Sequence, residues 1–261
     1  MELNPGAGAF GSITIGGNFE ASRTATSRIV TTGDIGALKI GGSLIVTSSN
    51  NSGIVSGGKI GSVTVGGSVM GTDGRALVLA GTTIGKVAIG GSLDNAQLAA
   101  GGNAVPLNPA AAIAIASVTV KGRVQDSLIQ SGINLTGAFN PDTQIGSITV
   151  NGDWIRSNAS ASTAAGPDGK YGTPDDILFA ATGTYTNNTA IVSKIASVFV
   201  KGQIFGTSGG TDSYGFVAQT IGKFGRGPAA YTLKPNPTPN AAPLDVVALS
   251  ITGDTFLREV L

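Results

Sequence analysis

The side chains best suited to chemistry lie in one short stretch, GPDGKYGTPDDI at residues 166–177. Asp168, Asp175 and Asp176 fall there among glycines and prolines that let a loop bend. Calcium takes about six to eight oxygens from such loops. The three carboxylates and a backbone carbonyl near Lys170 or Tyr171 can supply part of that shell, which makes them the candidate calcium ligands. The alternating acidic ladder of an EF-hand is absent. A plain Asp/Gly/Pro turn is the other reading of the same residues.

Asp153 beside Trp154 is an acid–aromatic pair of the kind glycan sites use, and forms a second candidate ligand site. Its structural alternative is a turn cap, with Trp154 at an apolar strand position. Other chemistries are excluded by composition. The 261 residues include no histidine and no cysteine. There is therefore no Ser-His-Asp triad, thiol nucleophile, disulfide or ordinary zinc site. With so many glycines, three catalytic patterns arise by chance. Gly6, Gly8 and Gly11 spell G-x-G-x-x-G, but a strand motif follows where a dinucleotide site needs a helix. Gly53, Gly58 and Lys59 match most of a P-loop, but Ile60 stands where Ser or Thr should reach magnesium. Gly206, Ser208 and Gly210 spell G-x-S-x-G without a histidine base. Net charge is +1, which gives no footprint for nucleic acid or an anionic membrane. No apolar run approaches the roughly 18 residues of a membrane-spanning helix.

The elements that position these residues come from a repeat. Its copies are FGSITIGGNF at 10–19, IGALKIGGSL at 35–44, IGSVTVGGSV at 60–69, IGKVAIGGSL at 84–93, IASVTVKGRV at 115–124, IGSITVNGDW at 145–154 and IASVFVKGQI at 195–204. Degenerate copies begin at Ile221 and Val246. Start-to-start spacings are 25, 25, 24, 31, 30, 50, 26 and 25 residues. A base period with insertions marks a solenoid. Positions four and six are apolar around a small or polar residue, which is strand alternation. Position eight is glycine, expected at a tight corner because it reaches positive φ without steric cost. A weaker strand precedes many motifs, as at Ile29-Val30, Ile54-Val55, Leu77-Val78-Leu79 and Phe216-Val217. No sustained helical stripe occurs.

The expected fold is all-β: one domain over 1–261, a parallel β-helix, right-handed, of about nine coils of roughly 25 residues each. A leucine-rich repeat is the alternative, but its asparagine is replaced by glycine or serine and no convex-side helix is visible. Aromatics make up only 5% of residues, so the core is expected to be aliphatic. Insertions fall near 102–114, 133–144 and 156–190, with a Pro-rich loop at 229–243 carrying Pro235, Pro237, Pro239 and Pro243. If the insertions leave from similar corners, they gather on one flank, where function concentrates. Outward positions form two columns: Ser12/Thr14, Ala37/Lys39, Ser62/Thr64, Lys86/Ala88, Ser117/Thr119, Ser147/Thr149 and Ser197/Phe199. Lys39, Lys86 and Phe199 interrupt the flat hydroxyl ladder that an ice-binding face needs. The corner column Asn18, Ser43, Ser68, Ser92, Arg123, Asp153 and Gln203 contains no run of acids of the kind a solenoid lyase or hydrolase requires.

The IGSVTVGGSV copies resemble the glycine-rich β-helix repeats of large bacterial secreted and surface proteins, in the style of filamentous-haemagglutinin-type and autotransporter-passenger adhesins. The 166–177 stretch resembles a GPDGxFGTxDD segment of bacterial surface proteins associated with calcium. The resemblance implies a non-enzymatic structural or adhesive module of a larger secreted or cell-surface bacterial protein. Its expected partners are surface glycans or neighbouring protein repeats, with no nucleic acid and no membrane span. A polysaccharide-binding or polysaccharide-degrading β-helix is the alternative. The first ten residues lack a signal peptide's basic and apolar regions, so an exported form is expected to be a processed piece. Neither end carries an obvious polar cap, which fits a segment of a longer array or ends that pair with neighbours.

Overall fold

The structure, a computed structural model, describes residues 2–3, 8–21, 28–47, 52–180, 185, 187–233 and 245–261. Seven motif copies are strands: Phe10–Ile15, Ile35–Ile40, Ile60–Val65, Ile84–Ile89, Ile113–Val120, Gln144–Val150 and Lys194–Val200. They stack side by side as the parallel body of one sheet, here called the motif sheet. After each motif strand the chain adds a short strand to a second sheet, from Phe19–Ala21 to Ile204–Phe205. It then adds one to a third sheet, from Arg28–Thr31 to Tyr214–Ala218, and returns to the motif sheet. The weak strands that precede the motifs are this third sheet. Among the described residues there is no helix, so the convex helices of a leucine-rich repeat are missing. The architecture is all-β, with long parallel sheets visited in a fixed cyclic order. It is compatible with a β-helix.

Side-chain alternation explains why these residues build this stack. Motif positions one, four and six face inward, and the corresponding Ile60, Val63 and Val65 are buried. Position four gives the column Ile13, Leu38, Val63, Val87, Val118, Ile148 and Val198, each buried above its neighbour. Fully burying one such side chain contributes about 1.5–3 kcal/mol, and every added coil repeats the gain. The core is aliphatic through most of its length. Toward the C-terminal side it passes into rings: Trp154 on Phe216, Phe216 on Phe224, and Phe224 on Tyr231, with centroids 4.5, 5.1 and 5.5 Å apart.

The motif glycines act for a different reason from the expected one. None of Gly42, Gly67, Gly91, Gly122, Gly152 and Gly202 has φ in the left-handed region. An added Cβ would instead collide with the coil before: with Asn18 Oδ1 at Gly42, Ser43 Oγ at Gly67, Ser68 Oγ at Gly91 and Asp153 Oδ1 at Gly202. At Gly152 it would lie 2.7 Å from the carbonyl carbon and oxygen of Gly122. Position eight is glycine because the backbones approach closely there. Gly152→Ala is therefore expected to cost about 1–3 kcal/mol in urea denaturation. The exposed Lys121→Ala, one position earlier in its motif, should cost under about 0.5 kcal/mol. Equal small losses at both positions would contradict the close approach. Left-handed backbone does occur where the second and third insertions leave the third sheet, at Gly132 (φ 94°) and Ser162 (φ 50°).

Two other expectations are corrected. The copy beginning at Val246 does not join the motif sheet. Val246–Ala248 runs antiparallel to Thr255–Glu259 in the third sheet, because the Ser250–Asp254 turn folds the chain back. Likewise, Phe224–Arg226 stacks parallel on Lys194–Val200 but then meets Ala229–Tyr231 antiparallel. The longest insertion starts after the strand Asn158–Ala161, not at 156. Pro235, Pro237, Pro239 and Pro243 lie outside the described residues, as does Gly6.

Candidate functional site

All three insertions leave the third sheet and return to the motif sheet, so they share one corner. They also touch one another. Asn140 Nδ2 donates to Gly101 and Asn103 carbonyls at 3.0 Å each, and the Asn188 N–H donates to Asp142 Oδ2 at 2.6 Å. Asn188 Nδ2 reaches the Pro106 carbonyl at 3.3 Å. Asp142 is buried, which pushes its carboxyl up, with the Asn188 N–H opposing.

In the 166–177 loop each of the three carboxylates accepts from a donor of the loop itself. Asp168 accepts from the Lys170 N–H at 2.8 Å, and Asp175 accepts from the Asp168 N–H at 3.0 Å and from the Thr173 hydroxyl. Asp176 Oδ2 accepts from the Gly172 N–H at 2.7 Å. Each oxygen set serves a donor of its own loop. Among the described residues no group of three or more Asp, Glu, His or Cys is placed to hold a metal ion. The loop is instead docked onto the third sheet. The Tyr171 hydroxyl accepts from Gln130 Nε2 at 2.8 Å, and Arg258 Nε donates to the Gly172 carbonyl at 3.0 Å. Asp176 is buried under this contact, and its Oδ1 has no hydrogen-bond partner.

Asp153 and Trp154 separate into two structural roles. Trp154 is 0% exposed, so its ring offers no face to a sugar. Its indole N–H donates to the Ser157 carbonyl at 2.9 Å. Asp153 Oδ1 accepts from the Gln203 N–H of the next coil at 2.8 Å. This is one rung of a repeated corner contact. Asn18 accepts from Ser43 N, Ser43 from Ser68 N, Ser68 from Ser92 N and Ser92 from Arg123 N, at 2.8, 3.0, 2.9 and 3.3 Å. A short acceptor at position nine satisfies the next coil's otherwise unpaired backbone donor, and glycine at position eight makes room for it.

The chance motifs resolve the same way. Gly53 lies in the third-sheet strand Ser52–Ser56, and Lys59 pairs with Asp34 at 3.7 Å. Ser208 is exposed in a turn closed by Gly210 N on the Thr207 carbonyl. The outward columns do align: Ser62, Lys86, Ser117, Ser147 and Ser197 are successive partners, as are Thr64, Ala88, Thr119, Thr149 and Phe199.

One charged corner is not marked by any local sequence pattern within a single coil. Arg123 pairs with Asp94 at 3.0 Å, and Arg156 makes two hydrogen bonds to Asp126 at 2.8 and 2.7 Å. Burial of Asp126 opposes its charge, but Arg156, Gln125 and Arg123 outweigh this and hold its carboxyl below the usual range. Asn95, Asp126 and Arg156 share left-handed backbone, φ 44°, 50° and 42°. The bidentate Asp126 contact fixes Arg156 in a conformation few arginines adopt. The recurrence of Asn, Asp and Arg two residues after the apolar tenth position is the signal that marks this corner. Compared with known proteins, the chain matches no family model, no curated protein and no solved structure.

Proposed function

We propose that the chain is a right-handed parallel β-helix of about nine coils that serves as a structural and adhesive module of a larger secreted or cell-surface protein. It has no catalysis of its own in this reading. One observation carries it: the short polar side chains that recur at position nine of the motif are spent on coil-to-coil contacts. Asn18, Ser43, Ser68, Ser92 and Asp153 all accept from backbone donors of the following coil. The resemblance to glycine-rich surface repeats supports the cellular setting. Purified protein incubated with acidic and neutral polysaccharides should release no reducing ends and no unsaturated products. Antibody against it should label intact cells of the source organism. Turnover abolished by an Asp94→Asn or Asp126→Asn substitution would replace this reading with a polysaccharide-degrading one.

A further inference from the structure

We infer that the outer face of the motif sheet is a docking surface for acidic polysaccharide. The inference rests on the adhesive reading above and names its ligand class. The whole chain is nearly neutral, yet its charge is segregated. Among the described residues no strand of the motif sheet contains Asp or Glu, whereas Lys39, Lys86 and Lys194 lie in its strands. Lys121, Lys201 and Lys223 flank those strands, and of these six lysines all but the half-buried Lys194 are exposed; the flanking carboxylate Asp34, directly before Ile35–Ile40, is paired with Lys59. Lys39 and Lys86 stand in the outward columns themselves.

Between the lysines the face is hydroxyl-rich, with Ser62, Ser117, Ser147 and Ser197 in one column and Thr64, Thr119 and Thr149 in the other. Successive rungs lie about 4.8 Å apart, close to the length of one sugar residue along a chain. Two shallow depressions mark the face. One, of about 200 Å³, is lined by Thr64, Thr119 and Lys121. The other, of about 310 Å³, is lined by Ser197, Phe199, Lys223 and Pro228. Phe199, 38% exposed, presents a ring on which the apolar side of a sugar can stack. A protein partner needs buried aromatic or aliphatic anchors. Among the described residues the other large exposed apolar side chains lie elsewhere, on the insertions (as Val105, Leu107 and Leu135) or toward the C-terminus (as Ile251). Point-charge ammonium groups over a ladder of hydroxyls fit a polymer of hydroxylated rings bearing carboxylates or sulfates.

The test uses the whole chain on immobilised polygalacturonate, dextran sulfate, neutral dextran and double-stranded DNA at low salt. Retention is expected on one or both acidic polysaccharides and not on dextran, and the two acidic arms separate carboxylate from sulfate recognition. The triple variant Lys39→Gln/Lys86→Gln/Lys223→Gln should weaken that binding by about tenfold. Removing equal charge elsewhere, in Arg28→Gln/Arg75→Gln/Lys170→Gln, should change it by less than about threefold. Phe199→Ala should weaken it by a few fold. Circular dichroism checks that every variant keeps its β signal. No retention on either acidic polymer, equal loss in the control variant, or DNA binding as tight as polysaccharide binding would each overturn the inference. An inert, surface-exposed protein without such binding leaves the module reading intact, whereas cleavage of the polymer removes that reading.

Discussion

Trp154→Ala is expected to destabilise the chain by about 3–5 kcal/mol. Trp154 takes the apolar tenth position of its motif, and its register neighbours Val124 and Ile204 are far smaller. The ring fills the core at the point where the aliphatic columns meet Phe216, at a 4.5 Å centroid distance. Removing it leaves a cavity whose walls are strands fixed by coils on both sides, so collapse is limited. It also leaves the buried Ser157 carbonyl without the indole donor. Trp154→Phe should cost less, since it keeps a ring and loses only the donor and part of the volume. Trp154 is the only tryptophan in the sequence, so its fluorescence reports its own environment. Emission should be blue-shifted and poorly quenched by acrylamide in the folded chain. A loss below about 1 kcal/mol on truncation to alanine, or ready quenching, would contradict its burial.

The second large effect is a pH dependence centred on Asp176. Burial is the main cause that pushes its carboxyl up to about 7 from the ordinary 3.8. The Gly172 N–H and Arg258 oppose the shift, while Asp175 and Asp168 add to it. The folded chain therefore holds this proton more tightly than the unfolded chain. Asp176's contribution is most favourable at low pH, falls as pH rises from the unfolded value through about 7, and is flat above. A shift of this size corresponds to at most roughly 4 kcal/mol. Opening of the loop to hydrate the carboxylate would reduce it. Asp176→Asn keeps an acceptor for the Gly172 N–H and cannot ionise. Its stability should exceed the parent's at about pH 8 and should lack the Asp176 contribution to the decline. Asp142 and Glu259 are also pushed up by burial, so the difference between parent and variant isolates Asp176. Amide exchange over residues 166–178 should accelerate with pH in the parent beyond the intrinsic base catalysis, and less so in the variant. Identical pH profiles would contradict a buried carboxylate whose Oδ1 is unpaired.

What was legible in the sequence is what every coil must repeat. Positions four and six of the motif face the core in each copy from Phe10 to Val200, so period-two alternation located the strands and their register. The copy at Val246 failed because it preserves apolar spacing over only a few residues. Those residues cannot report the Ser250–Asp254 turn that reverses the chain. Glycine at position eight was legible as a requirement but not as a cause. A sequence reveals that no side chain fits, and only the stacked coil reveals that Gly122 is what an extra carbon at position 152 would strike. The carboxylates of 166–177 were legible as a cluster in sequence. Their partners are the loop's own N–H groups and the Thr173 hydroxyl, which composition cannot assign. The Asp94–Arg123 and Asp126–Arg156 pairs join residues 29 and 30 positions apart, and no local pattern brings them together until the period is known.

The stacked register is tested most directly by distances between spin labels. The chain has no native cysteine, so labels can be placed cleanly at Ser12→Cys with Ser147→Cys, and at Ser12→Cys with Ser197→Cys. Ser147 lies five strand spacings from Ser12 along the motif sheet, and Ser197 lies six. Backbone separations of about 24 Å and about 29 Å are predicted, each with a narrow distribution. The second label moves 50 residues along the chain yet adds only about 5 Å. A broad distribution, or a 12–197 distance that does not exceed the 12–147 distance by about one strand spacing, would contradict the stack on which every assignment above depends.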